Sequence, residues 1–322
     1  MGMNETSDPD TTQSELNHIY DLQSQTILLV AWAVSAVSLL QIIWLGAQVW
    51  TERHSVILKA TRVPSVVTPV NLVIFFMILS NSGYCWSLCE SWISTESSVA
   101  LASFIMEGFF SVSFRGCLIA YTWIRGRPII ELVSPGGAIF VRIILVVHGI
   151  GLIAEWIVII LIAAGASNAT PYNVISLTNS VLLVTSDVLV MSFYLLYLRR
   201  IRVEHHTVVT SDNKLQIISR YGCLSTTWLI LWYSVSEVTT LTDWNSTDVT
   251  VQRRFLYLIP LSKALATIFI CIQQLMKWSL QNQRKLNESS KITTVEKAKL
   301  KSTQHSVSAL QTNFHESLSS FK

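Results

Sequence analysis

Residues 26–50 read TILLVAWAVSAVSLLQIIWLGAQVW, a run without a single Asp, Glu, Lys or Arg. At about 1.5 Å of helical rise per residue this run is longer than the ~30 Å hydrocarbon layer of a bilayer. Every backbone N–H and C=O in hydrocarbon needs a partner within the segment, so the run is predicted to be a transmembrane helix. Six more apolar runs follow, at 66–87, 99–123, 139–164, 174–198, 221–241 and 254–277. The whole chain of 322 residues is 51% hydrophobic and 13% charged, the latter about half the ~25% of a soluble domain, which excludes an ordinary soluble fold. The predicted fold class is all-α, an integral membrane bundle of seven helices spanning 26–278. A 1–25 tail precedes it, and the Ser-, Thr- and Lys-rich segment 279–322 is predicted to be disordered. A net charge of +3 implies no nucleic-acid partner, and five cysteines make no disulfide framework.

The distribution of positive charge predicts the sidedness. With the N-terminus outside, three Lys or Arg fall in 51–65, two in 124–138, five in 199–220 and seven in 278–322. Arg142 and Lys277, at adjoining helix ends, bring the cytoplasmic share to nineteen of twenty-three. Only Arg253 and Arg254 fall outside, a bias that places the C-terminus in the cytoplasm. Asn4, Asn168 and Asn245 each begin an Asn-x-Ser/Thr glycosylation triplet, and all three fall in segments expected outside. Trp50, Trp86, Trp92, Trp123, Trp244 and Trp278 lie near predicted helix ends, where amphipathic rings favour the headgroup layer. The expected location is the plasma membrane.

Ionisable groups inside spans cost about 2.5–3.5 kcal/mol each on insertion scales, so they face a bundle interior and find partners. Six occur here: Glu107 and Arg115 on helix 3, Glu155 on helix 4, Asp187 on helix 5, Glu237 on helix 6 and Lys263 on helix 7. Counted from the predicted helix ends, Glu107, Glu155 and Lys263 share one outer layer, with Glu237 a turn nearer the outside. Arg115 and Asp187 fall in the inner half and are expected to pair as a switch. Trp232, close to the depth of Lys263, joins Glu107, Glu155, Glu237 and Lys263 as an expected ligand-binding set. The same charges are also explained as buried ion pairs that fix helix register. Arg125 and Arg127 after helix 3, and Arg199, Arg200 and Arg202 after helix 5, are expected to form a cytoplasmic partner surface or to anchor beside anionic membrane lipids. The stretch Ser211-Asp212-Asn213-Lys214 reads as a turn.

Seven helices, an outside N-terminus, a basic third internal loop and a Ser/Thr/Lys-rich tail resemble the layout of a G protein-coupled receptor. The resemblance covers 26–278 in layout. It implies a small-molecule ligand in the outer half of the bundle and a cytoplasmic G protein partner. Helix 3 ends Tyr121-Thr122-Trp123-Ile124-Arg125 where rhodopsin-like receptors carry Asp-Arg-Tyr. Helix 7 reads Leu258-Ile259-Pro260-Leu261-Ser262-Lys263 in place of Asn-Pro-x-x-Tyr, so no subfamily is implied. Lys263 also resembles the helix 7 lysine on which retinal proteins carry their chromophore, with Glu107, Glu155 or Glu237 as counter-ion. Ile259 stands where microbial-type rhodopsins have aspartate. A small-molecule transporter is the further alternative, although no internal repeat supports it. The seven histidines form no His-Glu-x-x-His set and no Gly-x-Ser-x-Gly elbow occurs, so neither enzyme activity nor a metal site is expected.

Overall fold

A computed structural model describes residues 9–57, 68–167, 169–204, 209–241, 250–283 and 286. They form seven helices: α1 (Pro9–Ile57), α2 (Pro69–Ile93), α3 (Ser97–Val133), α4 (Pro135–Ala163), α5 (Ala169–Glu204), α6 (Val209–Leu241) and α7 (Thr250–Gln283). No strand occurs among the described residues. Local chemistry sets several boundaries. Thr68 accepts a hydrogen bond from the Asn71 backbone N–H at 3.3 Å, and Pro69 occupies the first helical position, where its missing N–H costs nothing. Ser134 and Pro135 repeat that arrangement for α4, with Ser134 accepting from Gly137 at 3.1 Å. The end of α4 is a Schellman turn. Gly165 adopts φ +72°, and the N–H groups of Gly165 and Ala166 reach the carbonyls of Ile162 at 2.9 Å and Leu161 at 2.8 Å.

Three expected irregular stretches are helical instead. The segment 124–138, expected as a loop, contracts to one non-helical residue, Ser134, because α3 continues through Pro128 to Val133. Apolar packing outweighs the proline here: Ile130 is fully buried against Ala138, Val141 and Tyr194. Ser211-Asp212-Asn213-Lys214 lies inside α6, and α1 begins at Pro9, so residues 9–25 are helical and run directly into the first apolar run.

Six of the helices, all except α6, are long and apolar enough to cross a membrane. α6 carries Ser225, Thr226, Trp228, Ser234 and Ser236 along its length, and its less apolar composition is offset by burial of Ser225, Thr226, Leu229, Trp232 and Tyr233 within the bundle. The distribution of side chains on α4 is inverted relative to a soluble helix. Its buried stripe is Ala138, Val141, Leu145, His148, Leu152, Glu155 and Ile159, including a histidine and a carboxylate. Its opposite stripe of Ile139, Ile143, Val146, Ile150, Ile153 and Ile157 is at least half exposed. A continuous apolar stripe of this kind suits contact with lipid.

Consecutive helices from α1 to α6 pack on one another, and α3 packs additionally on α5. α7 closes the ring. Gln274 donates to the Gln41 carbonyl on α1 at 3.0 Å, Asn81 on α2 donates to Thr267 at 3.1 Å, and Trp228 on α6 donates to the Leu265 carbonyl at 3.0 Å. Buried Gln23 adds a bond to the Gln252 carbonyl at 2.7 Å, so glutamine amides stitch α1 to α7. α3 also reaches α6, through an edge-on contact of Phe114 with Trp232, ring centroids 5.3 Å apart.

Candidate functional site

The intramembrane charges resolve into two ion pairs and one mixed cluster. Arg115 on α3 grips Glu155 on α4 with both terminal nitrogens, Nη1 to Oε2 at 3.0 Å and Nη2 to Oε1 at 2.5 Å. Asn179 on α5 donates to Oε2 at 2.9 Å, while Arg115 also reaches Ser111 at 3.1 Å and Ser176 at 3.4 Å. The Glu155 side chain is wholly buried, so each of its two oxygens receives a charge-assisted donor in place of water. Gly151 makes room for this assembly: a Cβ there would collide with the Asn179 amide.

Arg115 therefore does not pair with Asp187, as its depth in the sequence suggested. Asp187 instead binds Arg125, Nη2 to Oδ1 at 2.5 Å, and accepts from Thr226 on α6 at 2.5 Å and Thr122 on α3 at 3.4 Å. Arg125 follows the predicted end of helix 3, but α3 continues and carries it inward. Only 6% of its side chain is exposed, so it is an interior residue and not part of a cytoplasmic partner surface. Tyr194 on α5 reinforces the junction by donating to the Arg125 carbonyl at 2.5 Å. Arg127, Arg199 and Arg200 are exposed, as a surface role requires, whereas the Arg202 side chain lies outside the described residues. Asn4, Asn168 and Asn245 also lie outside them.

The third group surrounds a cavity of about 70 Å³ bounded by α2, α3, α5, α6 and α7. Lys263 projects from α7 over the face of Tyr84, its Nζ 3.2 Å from the ring centroid, and the Tyr84 hydroxyl bonds to Glu107. Tyr84 thus bridges Lys263 and Glu107, two of the three residues expected in one layer. The third, Glu155, is committed to Arg115, and only the arginine reaches the cavity wall. Glu237 lines the same cavity from α6, accepting from Ser180 through Oε1. Its other oxygen, Oε2, has no hydrogen-bond partner among the described residues, and neither do the Trp232 Nε1 or the Tyr233 hydroxyl. Buried polar atoms are normally paired, so these three constitute unmet hydrogen-bonding capacity within one enclosure. Trp232 packs against Tyr233 with centroids 4.6 Å apart, which fixes both rings at the wall.

Of the expected ligand-binding set, Trp232, Glu237 and Lys263 line the cavity while Glu107 and Glu155 do not, and sequence reasoning passed over the lining residues Tyr84, Tyr233, Ser176 and Ser180. A signal for part of this set exists on α5, where Ser176, Ser180 and Asp187 fall at spacings of four and seven and share one face.

The chain is an all-helical bundle with six membrane-span candidates, as befits a multi-pass membrane protein. No protein-family model matches it and no curated protein matches it.

Proposed function

We propose that this protein is a plasma-membrane receptor that binds a compact ligand in the cavity beside Lys263 and relays the event to a cytoplasmic partner, a G protein in the reading that the seven-helix layout favours. One observation carries the reading. Lys263 and Arg115 bring positive charge, and Glu237 negative charge, to a single enclosure in which Glu237 Oε2, Trp232 Nε1 and Tyr233 OH have no partner among the described residues. Such a wall suits a small molecule bearing an amine for Glu237, an anionic or acceptor group for Lys263, and an apolar body for Trp232.

The cavity volume of about 70 Å³ is far below the ~300 Å³ at which drug-sized sites begin. It supports a ligand of a few heavy atoms, or one that widens the bundle on entry, over a chromophore of retinal's length on Lys263. Widening gives the ligand its means of signalling, because a ligand shifts helices only by binding one arrangement more tightly than another.

The test is a thermal-shift screen of the purified chain against compact amines, amino acids and small carboxylates. A ligand at this site stabilises the parent protein, with the shift lost in Lys263→Met or Glu237→Gln while both variants melt near the parent without ligand. Equal stabilisation of parent and variants would place the ligand elsewhere and remove the proposal. Accumulation of the compound in sealed vesicles without any signalling partner would favour the transporter.

A further inference from the structure

A second cavity, of about 420 Å³, opens between the adjoining ends of α3 and α4 and shares no lining residue with the cavity beside Lys263. α3 supplies Trp123, Arg127 and Glu131, residues spaced by four that fall on one helical face. α4 supplies Pro135, Ile139 and Arg142 at spacings of four and three. The helices are antiparallel about the single non-helical residue Ser134. Arg127 precedes Ser134 by seven residues and Arg142 follows it by eight, so the two arginines stand at similar levels, about 10–12 Å along their helices.

Their charges are unequally used. Arg127 Nε donates to Glu131 at 2.8 Å, in a pair that is half exposed, and its guanidinium lies over the Trp123 ring at 6.0 Å. Arg142 is exposed and forms no ion pair with any described residue. Two guanidinium groups against one carboxylate leave the groove with an excess of one positive charge. Ile139, 63% exposed, begins the apolar stripe that continues along α4 through Ile143, Val146 and Ile150. A charged recess thus joins directly to a lipid-facing apolar track.

We propose that this groove binds one anionic phospholipid, its phosphodiester seated between Arg142 and Arg127 and an acyl chain lying along Ile139, Ile143 and Val146. The matching is of charge and of shape. A headgroup with one net negative charge neutralises the excess, and the Trp123 ring lines the groove, an indole being favoured near the headgroup layer. The charge distribution of the sequence assigns this end of the bundle to the cytoplasm, the leaflet in which anionic lipids concentrate. The inference is independent of the ligand proposed for the cavity beside Lys263.

The full chain is purified into nanodiscs of phosphatidylcholine with or without phosphatidylserine, extracted into mild detergent, and its retained lipid measured by native mass spectrometry. The parent retains phosphatidylserine in preference to phosphatidylcholine. R142Q and R127Q each reduce that preference about five-fold, the effect of one basic side chain near an anionic surface. R142K preserves it, and E131Q raises it by removing the competing carboxylate. If R142Q does not fold, R127Q and E131Q decide the matter, since a groove without a lipid shows neither the fall nor the rise. Unchanged retention in folded R142Q and R127Q overturns the proposal, as does a fall in E131Q. Displacement of the lipid by soluble glycerol phosphate at equal concentration would also overturn it, by showing that the headgroup alone suffices.

Discussion

Breaking the Arg115 and Glu155 pair from either side should destabilise the bundle far more than removing both charges. Glu155 is wholly buried and receives two bonds from Arg115 and one from Asn179. In Glu155→Leu the guanidinium keeps only the hydroxyls of Ser111 and Ser176. In Arg115→Met the carboxylate keeps only Asn179. Removing one partner of a buried pair costs about 3–5 kcal/mol, because the other charge is left uncompensated. At the ~2 °C per kcal/mol suited to a larger domain, each single variant should melt roughly 6–10 °C below the parent. The double variant Arg115→Met with Glu155→Leu leaves only Asn179 without its acceptor, an expected loss of about 1–3 kcal/mol. It should therefore melt above both single variants. The free cysteines supply the assay: Cys85 and Cys89 are buried and Cys117 partly so, and a thiol-reactive fluorophore reports their exposure on heating in detergent. A double variant that melts at or below the worse single variant would refute the uncompensated-charge explanation. So would single variants that melt with the parent.

Gly151→Ala should disturb the same assembly without touching a charge. The new methyl displaces the Asn179 amide from Glu155, and the overpacking costs about 1–3 kcal/mol in the same melting assay; a parent-like melting temperature would count against the close approach. Asp187→Asn leaves Arg125 buried without its counter-charge and weakens the link to Thr226 on α6. Its expected loss is again about 3–5 kcal/mol, and chemical cross-linking between cysteines introduced on α5 and α6 should become less efficient as the junction loosens. Cross-linking at the parent rate would refute the view that Asp187 holds the two helices together.

Depth along a span was legible in the sequence, and rotation about the helix axis was not. The apolar runs located all seven helices, since length and freedom from charge suffice to recognise a segment that satisfies its own backbone. Residue counting also placed Glu107 and Lys263 at a common level, where Tyr84 joins them. It assigned Arg115 to Asp187 because nothing in an all-apolar run says which side faces a neighbour. α4 shows where the missing information resides. Its buried face is marked by His148 and Glu155, seven apart, while the isoleucine-rich face is exposed. In lipid the scarce polar residues mark the interior, so their spacing carries the rotation that the apolar pattern omits. Gln41 and Gln48 on α1, also seven apart and both buried, carry the same signal. Arg125 was misplaced for another reason: Arg125-Gly126-Arg127-Pro128 has the composition of a loop, yet α3 continues through it, held by the packing of Ile130 and the Tyr194 bond to the Arg125 carbonyl.

The polar face of α5 joins the separate charge centres into one mechanical element. Ser176 and Asn179 touch the Arg115 and Glu155 pair, Ser180 donates to Glu237 at the cavity wall, and Asp187 holds Arg125 and Thr226 further along the helix. From Ser180 to Asp187 is seven residues, about 10 Å at helical rise. A group bound to the free Oε2 of Glu237 would sit beside the Ser180 bond to Oε1, and Arg115 forms part of the same cavity wall. Any displacement of α5 that follows must stretch or preserve the bonds at Asp187, because packed helices move as rigid units more readily than they bend. Under the proposed ligand reading, occupancy of the cavity would bear on the Arg125 junction through this one helix face, and the strength of that linkage would be set by how differently a ligand binds before and after α5 shifts.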